Sequence, residues 1–462
     1  MGIINTSRNI HLIGIHGCGM KGLALYLVSK GCVVSGSDLK KTGLNDKRIS
    51  VYQGHQKSHV QGKDLVIYSS AVSQDNVERR EAQRLQIPVM SRPEAMAALL
   101  EGKQSIGIAG VHGKTTTTGM IGQILINAGM DPTVFVGGSL PQQIQYGRAG
   151  MSPWCVFEAD ESDGSLIDYH PHYAVVTNIE LEHVDYFRDL NHVISVFRQF
   201  MNQTLDKIII CADDPVCAEL MTVMPSSKIL SYGLSDRAII KGEILESTDQ
   251  GLFFRVMFHN DNVGIFRIPL YGKHQVSNAL AAISVCTMLD VPVDIMQQTL
   301  AQFCGMERRF QSIGYYRGAC VINDYAHHPR EVYASLSASK QRFKGKVLAV
   351  FQPHRYSRFS RFYHDFAKIL SGFDGVVITQ IYHGHELNHD DISSVSLYEI
   401  LKDQMSEPVY YCPALEDIQH LLETMTMDYD AILIMGAGDI ETLAKGLVCG
   451  DRAMLTHPIT SV

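Results

Sequence analysis

The sequence predicts an α/β protein of three domains, and three observations carry that expectation. Short Val/Ile-rich runs alternate with amphipathic stretches along nearly the whole chain, as in "IHLIGI", "MKGLALYLVSKG" and "VVSGSD". That rhythm belongs to parallel strands joined by crossover helices. Two glycine-rich loops, "GIHGCGMKG" and "GVHGKTTTT", each stand where a strand-like run passes into a helix-like one. The length, 462 residues, exceeds what one ordinary core accommodates.

In the first segment a strand runs into Gly14, a helix follows from Met20, and "VVSGSD" and "DLVIYSS" read as further strands. "VMSRPEAMAALLEGKQSIGIAG" leads into the second segment, where a strand over 105–109 feeds the Gly-Lys-Thr loop and a helix over 116–128. "WCVFEADESDGS" and "VVTNIELEHVDYF" are two more strands with polar carboxyl ends. After "GMERRFQ" the strands "ACVIND", "VLAVFQP", "GVVITQ" and "AILIMGAGD" alternate with helical stretches. The boundaries fall near Arg92 and Gly305, giving domains 1–92, 93–305 and 306–462.

Composition narrows the function. The chain is 45% hydrophobic and 19% charged, with a net charge of −8 and no basic cluster. Nucleic acid is therefore excluded, because a phosphate backbone is met by a concentrated Lys/Arg face. Small polyanions need only a few cations and backbone N–H groups. No stretch approaches the roughly 20 apolar residues of a membrane span, and the N-terminus lacks the apolar core of a signal peptide. The ten cysteines show no C-x-x-C pair, which suits a reducing compartment. The reading is a cytoplasmic protein with no stable membrane anchor.

The second loop carries the most chemistry. Glycines let a loop wrap a phosphate with backbone N–H groups, the helix N-terminus adds partial positive charge, Lys114 reaches the terminal phosphates, and a Thr hydroxyl ligates Mg²⁺. The spacing is imperfect, since Ile108 stands five residues before Gly113, where a glycine is usual. Downstream, Glu158, Asp160, Glu161 and Asp163 end a strand of the same sheet, where Mg²⁺ is commonly held; a solvated acidic turn accounts for some of them. Asn178, Glu182, His183 and Asp185 repeat the arrangement. In the first loop Gly14, Gly17, Gly19 and Gly22 lack the usual dinucleotide spacing, and Asp38 stands where a ribose-binding acid would. A diphosphate ligand suits that loop better than a hydride cofactor.

The motifs "GIHGCGM", "GVHGKTTTT", "EADESDGS", "TNIELEHVDY", "GKHQVSNALAAI", "GMERRFQ", "NDYAHHP", "FQPHRYSR" and "GAGDI" resemble those of the Mur ligases of peptidoglycan synthesis. The resemblance runs from about His11 to Ile440, and "DYAHHP" with "FQPHRYSR" points to the alanine-adding branch. It implies an N-terminal Rossmann-like domain for a UDP-sugar, a central P-loop ATPase domain, and a C-terminal Rossmann-like domain that closes over the nucleotide. The implied reaction is ATP-driven ligation of L-alanine to the lactyl carboxylate of UDP-N-acetylmuramate through an acyl phosphate, in a monomer or weak homodimer.

Carried over motif by motif, the resemblance assigns Gly110, His112, Gly113, Lys114, Thr115 and Thr116 to ATP. It places Thr115 and Glu158 on one Mg²⁺ and His183, as a neutral imidazole, on a second. His274 and Asn278 map to the nucleotide base, and Arg309 and Asp324 to its phosphate and ribose. Gly17, Gly19, Met20, Asp38, Ser69, Ser70 and His327 map to substrate, with His354, Arg355 and Arg358 around the amino acid, where an arginine suits a carboxylate. Lys114, Glu158, His183, His354 and Arg358 form the implied catalytic set. Val111, Gln275 and Asn323 depart from the family pattern. No Lys occurs between Val184 and Asp206, where several sibling ligases carry a carbamylated one. Lys21 either faces a diphosphate or is solvated.

Rival readings are a murein tripeptide recycling ligase acting on the same UDP-N-acetylmuramate, a folylpolyglutamate synthase type, an NTP-driven sensor or chaperone, and a dinucleotide oxidoreductase. The last two leave "FQPHRYSR" and "HHP" unexplained.

Overall fold

The computed structural model describes residues 3–39, 44, 46–140, 144–162, 164–183, 186–384, 386–388 and 391–454. Asp163, Asp185 and the end of the C-terminal tail lie outside the described residues. The architecture is α/β, and the described residues form three sheets. By contacts the chain divides into two compact units. The first holds the N-terminal and central sheets; the second holds the C-terminal sheet.

The first sheet runs Ile49–Gln53, Val33–Asp38, Asn9–Ile13, Leu65–Tyr68, Val89–Ser91, and every pair is parallel. This order reverses at Asn9–Ile13, the strand that enters the first glycine loop. Helix Cys18–Ser29 follows, and Gly22 lets it approach closely: a Cβ there would collide with the Tyr146 carbonyl of the central domain.

Among the described residues the central sheet has ten strands. Its Gly-Lys-Thr strand, Gln104–Ala109, lies between Tyr173–Val176 and Trp154–Glu158, parallel to both. Such strands are covered on both faces, and "SIGIA" and "VVV"-type runs such as Ile208–Ile210 are accordingly buried throughout. The antiparallel hairpin of Thr133–Leu140 with Ile144–Arg148 and the antiparallel pair Gly251–Phe258 and Asp261–Ile268 extend the sheet at its two ends. Phe157, Phe197, Phe200 and Tyr169 are fully buried around it, each contributing about 1.5–3 kcal/mol by burial.

The helix after the loop starts at Lys114, two residues before the expected start, and ends at Asn127. Gly113 caps it in the left-handed region at φ +85°, so helical geometry begins immediately after the glycine. Other starts follow ordinary capping: Asn76 accepts from the N–H groups of Glu78 and Arg79, and Ser91 with Glu94 forms a capping box behind Pro93.

The sheet of the second unit runs Gln311–Tyr316, Ala319–Asp324, Ala431–Met435, Val347–Phe351, Gly375–Ile378, Val409–Tyr411, with only the first strand antiparallel. The register pairs both Asp324 and Phe351 with Met435, so the segments after these strands emerge along one edge.

Candidate active site

The first loop is shaped by its neighbours on the sheet. The N–H groups of Gly14 and Ile15 donate to the Ser37 carbonyl, and His16 N donates to Asp38 Oδ2 at 3.0 Å. Gly14 has φ +80°, and a Cβ there would meet Ser69 Cβ at 3.0 Å. Asp38 and Ser69 thus border the loop. The Met20 side chain lies in the apolar core, so only its backbone is available to a ligand. Lys21 is not solvated: it is buried, with Nζ 4.4 Å from the centre of the Tyr146 ring. Arg92, read from the sequence only as a boundary, brings its guanidinium over Gly19, where a Cβ would come within 2.6 Å of Nη1. Ser70 lines a cavity of about 510 Å³ with Arg79, Ser91, Ser165, Asp168 and Tyr186.

The second loop is tied down by Asn178. His112 N donates to Asn178 Oδ1 and Asn178 Nδ2 donates to the His112 carbonyl, both at 2.9 Å, while Val111 N donates to the Asn178 carbonyl at 3.3 Å. Thr177 Oγ1 donates to the same His112 carbonyl at 2.7 Å. His112 pairs with Glu180. Gly110 has φ +137°, and a Cβ there would overlap Thr177 Oγ1. A Cβ at Gly113 would reach Asn278 Oδ1 at 2.5 Å, and Thr117 Oγ1 donates to the same oxygen at 3.4 Å. Asn278 therefore packs on the loop from the helix Lys273–Met288, whose first turn carries the exposed His274.

Lys114 Nζ donates to the Gly110 carbonyl and to Glu161 Oε2, each at 2.6 Å. Burial alone would lower the ammonium's pKa; the carboxylates of Glu161, Asp160 and Glu158 outweigh it, and the pKa is raised. The pKa of Glu158 is raised too, but here burial is the cause and prevails over the Gly137 N–H, Lys114 and a hydrogen bond from Thr115. Burial also opposes ionisation of Asp160, but Lys114, Arg92 and His183 prevail and lower its pKa. His183 Nε2 lies 3.4 Å from Glu161 Oε1, on a backbone with φ +51° rather than a helix start. Glu158 Oε1 and Glu161 Oε1 are buried and accept no hydrogen bond. Two such carboxylate oxygens beside a Thr hydroxyl suit a hard divalent cation. Lys114, Thr115, Glu158 and His183 are brought together as expected; Glu161, which joins Lys114 to His183, was visible only as one of four acids.

In the second unit, Asp324 ends its strand buried. Ser335 Oγ donates to Asp324 Oδ2 at 2.5 Å and Ala326 N to Oδ1 at 3.2 Å. Burial pushes its carboxyl up to about 6, against these bonds and Arg309. Arg309 faces Glu331 at 3.3 Å and lies over the Tyr325 ring. His354 is held to about 3 by burial and by His327, Arg358, Arg355 and Arg308. Arg358 Nη1 lies 3.1 Å from His354 Nδ1. A guanidinium only donates, so Nδ1 accepts and the ring's N–H is on Nε2. The His327 ring meets His354 edge-on at 5.5 Å between centroids. Arg355, at φ +66°, precedes the helix Tyr356–Leu370 and bonds through its N–H to the Tyr382 carbonyl. His327, His354, Arg355 and Arg358 thus share one end of this sheet, two of the arginines at a helix N-terminus. Gln275 Oε1 and Asn323 Oδ1, two of the departures, are buried without a hydrogen-bond partner.

Three sequence models cover the chain: "Mur ligase family, catalytic domain" matches residues 9–104, "Mur ligase middle domain" 108–286 and "Mur ligase, glutamate ligase domain" 308–438. A UDP-N-acetylmuramate–L-alanine ligase of Desulforamulus reducens is 35% identical over 457 residues, 97% of this chain and 99% of that one. The enzyme of that name from Persephonella marina is 38% identical, covering 95% of each. Among solved structures, the UDP-N-acetylmuramate–alanine ligase of Thermotoga maritima superposes with TM-score 0.83 at 26% identity, over 96% of this chain and 99% of that one. A murein peptide ligase of Psychrobacter arcticus, at 22% identity and TM-score 0.70, shares the fold.

Proposed function

The chain belongs to the Mur ligase family, and from that premise we infer that it joins L-alanine to UDP-N-acetylmuramate in peptidoglycan synthesis. The observation that carries the reading is the near full-length identity to relatives named for that reaction. The tripeptide-recycling alternative is supported by fold likenesses at 22% and 24% identity.

The chemistry explains the need for the phosphate loop. A carboxylate is a poor acyl donor because oxide is its leaving group. Transfer of the γ-phosphoryl group from ATP to the lactyl carboxylate forms a C–O–P link and releases ADP. The alanine amine then attacks the acyl carbon, phosphate departs, and the amine nitrogen gives up its extra protons.

Two anions must meet in the first step, so charge neutralisation matters more than a nucleophilic side chain. In this reading Lys114 meets the β- and γ-phosphates, and the N–H groups from Gly110 to Thr116 surround them. Thr115, Glu158 and Glu161 would hold Mg²⁺, with His183 beside Glu161 for a second ion. Bound there, Mg²⁺ supplies charge neutralisation and orientation. Asn278 belongs with the nucleotide, as do His274, Arg309 and Asp324 on the strength of their motifs. Gly17, Gly19, Asp38, Ser69 and Ser70, with Arg92, belong with the UDP-sugar. Arg355 or Arg358 takes the alanine carboxylate; His354, neutral with an N–H on Nε2, serves as a donor beside them. We assign the reaction to the cytoplasm, where ATP is available.

The test is phosphate release from ATP with UDP-N-acetylmuramate present, comparing L-alanine, other amino acids and the tripeptide. Release that requires L-alanine supports the reading, and release with tripeptide alone replaces it by the recycling ligase.

A further inference from the structure

A second polar cluster lies in the N-terminal domain, where the ligation chemistry makes no use of it. Alternation along Asn9–Ile13 puts His11 on one face of the first sheet, and the register sets it beside Ser35. The 3₁₀ turn Lys57–Val60 and the helix Val77–Arg84 bring His59 and Glu78 to it. The Glu78 side chain is fully buried and receives Ser37 Oγ at 2.5 Å, His59 Nδ1 at 2.6 Å, Gln56 N at 3.0 Å and His55 Nδ1 at 3.2 Å.

His11 is the anomaly. Its side chain is also fully buried, and Nδ1 is engaged by Ser35 Oγ at 2.9 Å. Its Nε2 points at Glu78 Oε2 from 3.5 Å and makes no hydrogen bond. A buried imidazole nitrogen that makes no hydrogen bond carries a desolvation cost. A cation between Nε2 and the carboxylate would remove that cost.

We propose that His11 Nε2, His59 Nδ1 and Glu78 bind a divalent transition-metal ion of the Zn²⁺ class, with His55 or a water as the fourth donor. One donor atom from each of His11, His59 and Glu78 lies within 4.8 Å of the others. Bonds of about 2.0–2.1 Å in tetrahedral geometry set donors roughly 3.4 Å apart; the 3.5 Å and 3.2 Å separations of His11 and His55 from Glu78 Oε2 already match, while His59 Nδ1, 2.6 Å from Glu78 Oε1, would give up its proton and move outward on binding. Two imidazoles and a carboxylate favour Zn²⁺ over Mg²⁺, which prefers oxygen. Ser35 supplies the hydrogen bond that orients a metal-bound imidazole through its other nitrogen. Tyr52 stacks on the His59 ring at 4.2 Å, fixing its plane. Entry is from the side of His59 and His55, whose side chains are 10% and 16% exposed. The ion would clamp the turn and the helix onto the strand that leads into the first glycine loop.

The experiment strips the purified full chain with a chelator, adds Zn²⁺ under excess Mg²⁺, removes unbound metal by gel filtration and counts zinc per chain. Cobalt replaces zinc in a parallel sample read by visible absorption. Retention of one equivalent, a tetrahedral cobalt spectrum, and loss of both in His59→Ala with unchanged circular dichroism are the expected results. His11→Gln serves as the second variant and should lose the same equivalent. A wild type that retains no zinc overturns the proposal, as does an equivalent that survives in both variants.

Discussion

The Lys114 ammonium sits 2.6 Å from Glu161 Oε2, a carboxylate whose other oxygen faces His183 Nε2 at 3.4 Å. The phosphate-loop cation and the metal-side histidine are therefore coupled through one buried acid. Replacing Lys114 by Met removes a cation from a buried pair, and such losses cost about 3–5 kcal/mol. Lys114→Met should be clearly destabilised in urea unfolding, while adding Glu161→Gln should recover part of the loss. Phosphate release should be abolished in both. Turnover near the wild-type rate in Lys114→Met would rule out the assigned role of Lys114 in phosphoryl transfer.

Glu158 offers an unpaired buried oxygen beside Thr115, and His183 approaches the same acidic group from the Glu161 side. Glu158→Gln should raise the Mg²⁺ concentration needed for half-maximal rate and lower kcat on the order of 10²-fold or more, the scale of losing one preorganised electrostatic contact. His183→Ala should also shift the Mg²⁺ dependence. A titration curve unchanged in His183→Ala would remove that residue from the metal site.

Much of this site was legible because its pieces are local. Gly110, Gly113, Lys114 and Thr115 follow one another, and a strand-to-helix loop of that composition has few other uses. Glu161 was ambiguous because four acids crowd a short stretch, and only the fold shows which one meets Lys114. Arg92 and Glu78 carried no signal, since their partners are distant in sequence: Gly19 for one, His11 for the other. The burial of Lys21 was not legible, because the Tyr146 ring that it meets lies on another domain, far away in sequence. The parallel strands were readable as continuous apolar runs, such as the fully buried Val347–Phe351. The Thr133–Leu140 hairpin was not, because its glycines and polar residues break the pattern.

Asn178 holds the loop at three points. Asn178→Ala removes the partner of the His112 N–H, while the His112 carbonyl keeps its bond from Thr177 Oγ1, and such a loss costs about 1–3 kcal/mol. The KM for ATP should rise about tenfold or more, with a smaller change in the KM for L-alanine. Equal shifts for both substrates would argue for general loosening rather than for a loop-shaping role.

Asp324 ties the pH dependence of stability to the second unit. Its carboxyl is raised to about 6 from an ordinary 3.8, primarily by burial. Between those values the unfolded chain has released this proton and the folded chain keeps it. The folded state then binds more protons, so stability falls as pH rises through the window and stays at the lower level above it. A shift of about two units corresponds to about 3 kcal/mol. Glu78, lowered to about 2 from 4.5 with burial opposed by His11 and Ser37, acts in the opposite sense, its contribution lost as pH falls below 4.5. Comparison with Asp324→Asn cancels that background and every other common titration. The stability of wild type relative to Asp324→Asn should decline by about 2–3 kcal/mol between about pH 4 and pH 7, followed by urea unfolding. A difference flat across that range would mean that Asp324 ionises at its ordinary pKa and that Ser335 and Ala326 satisfy a charged carboxylate rather than a neutral acid.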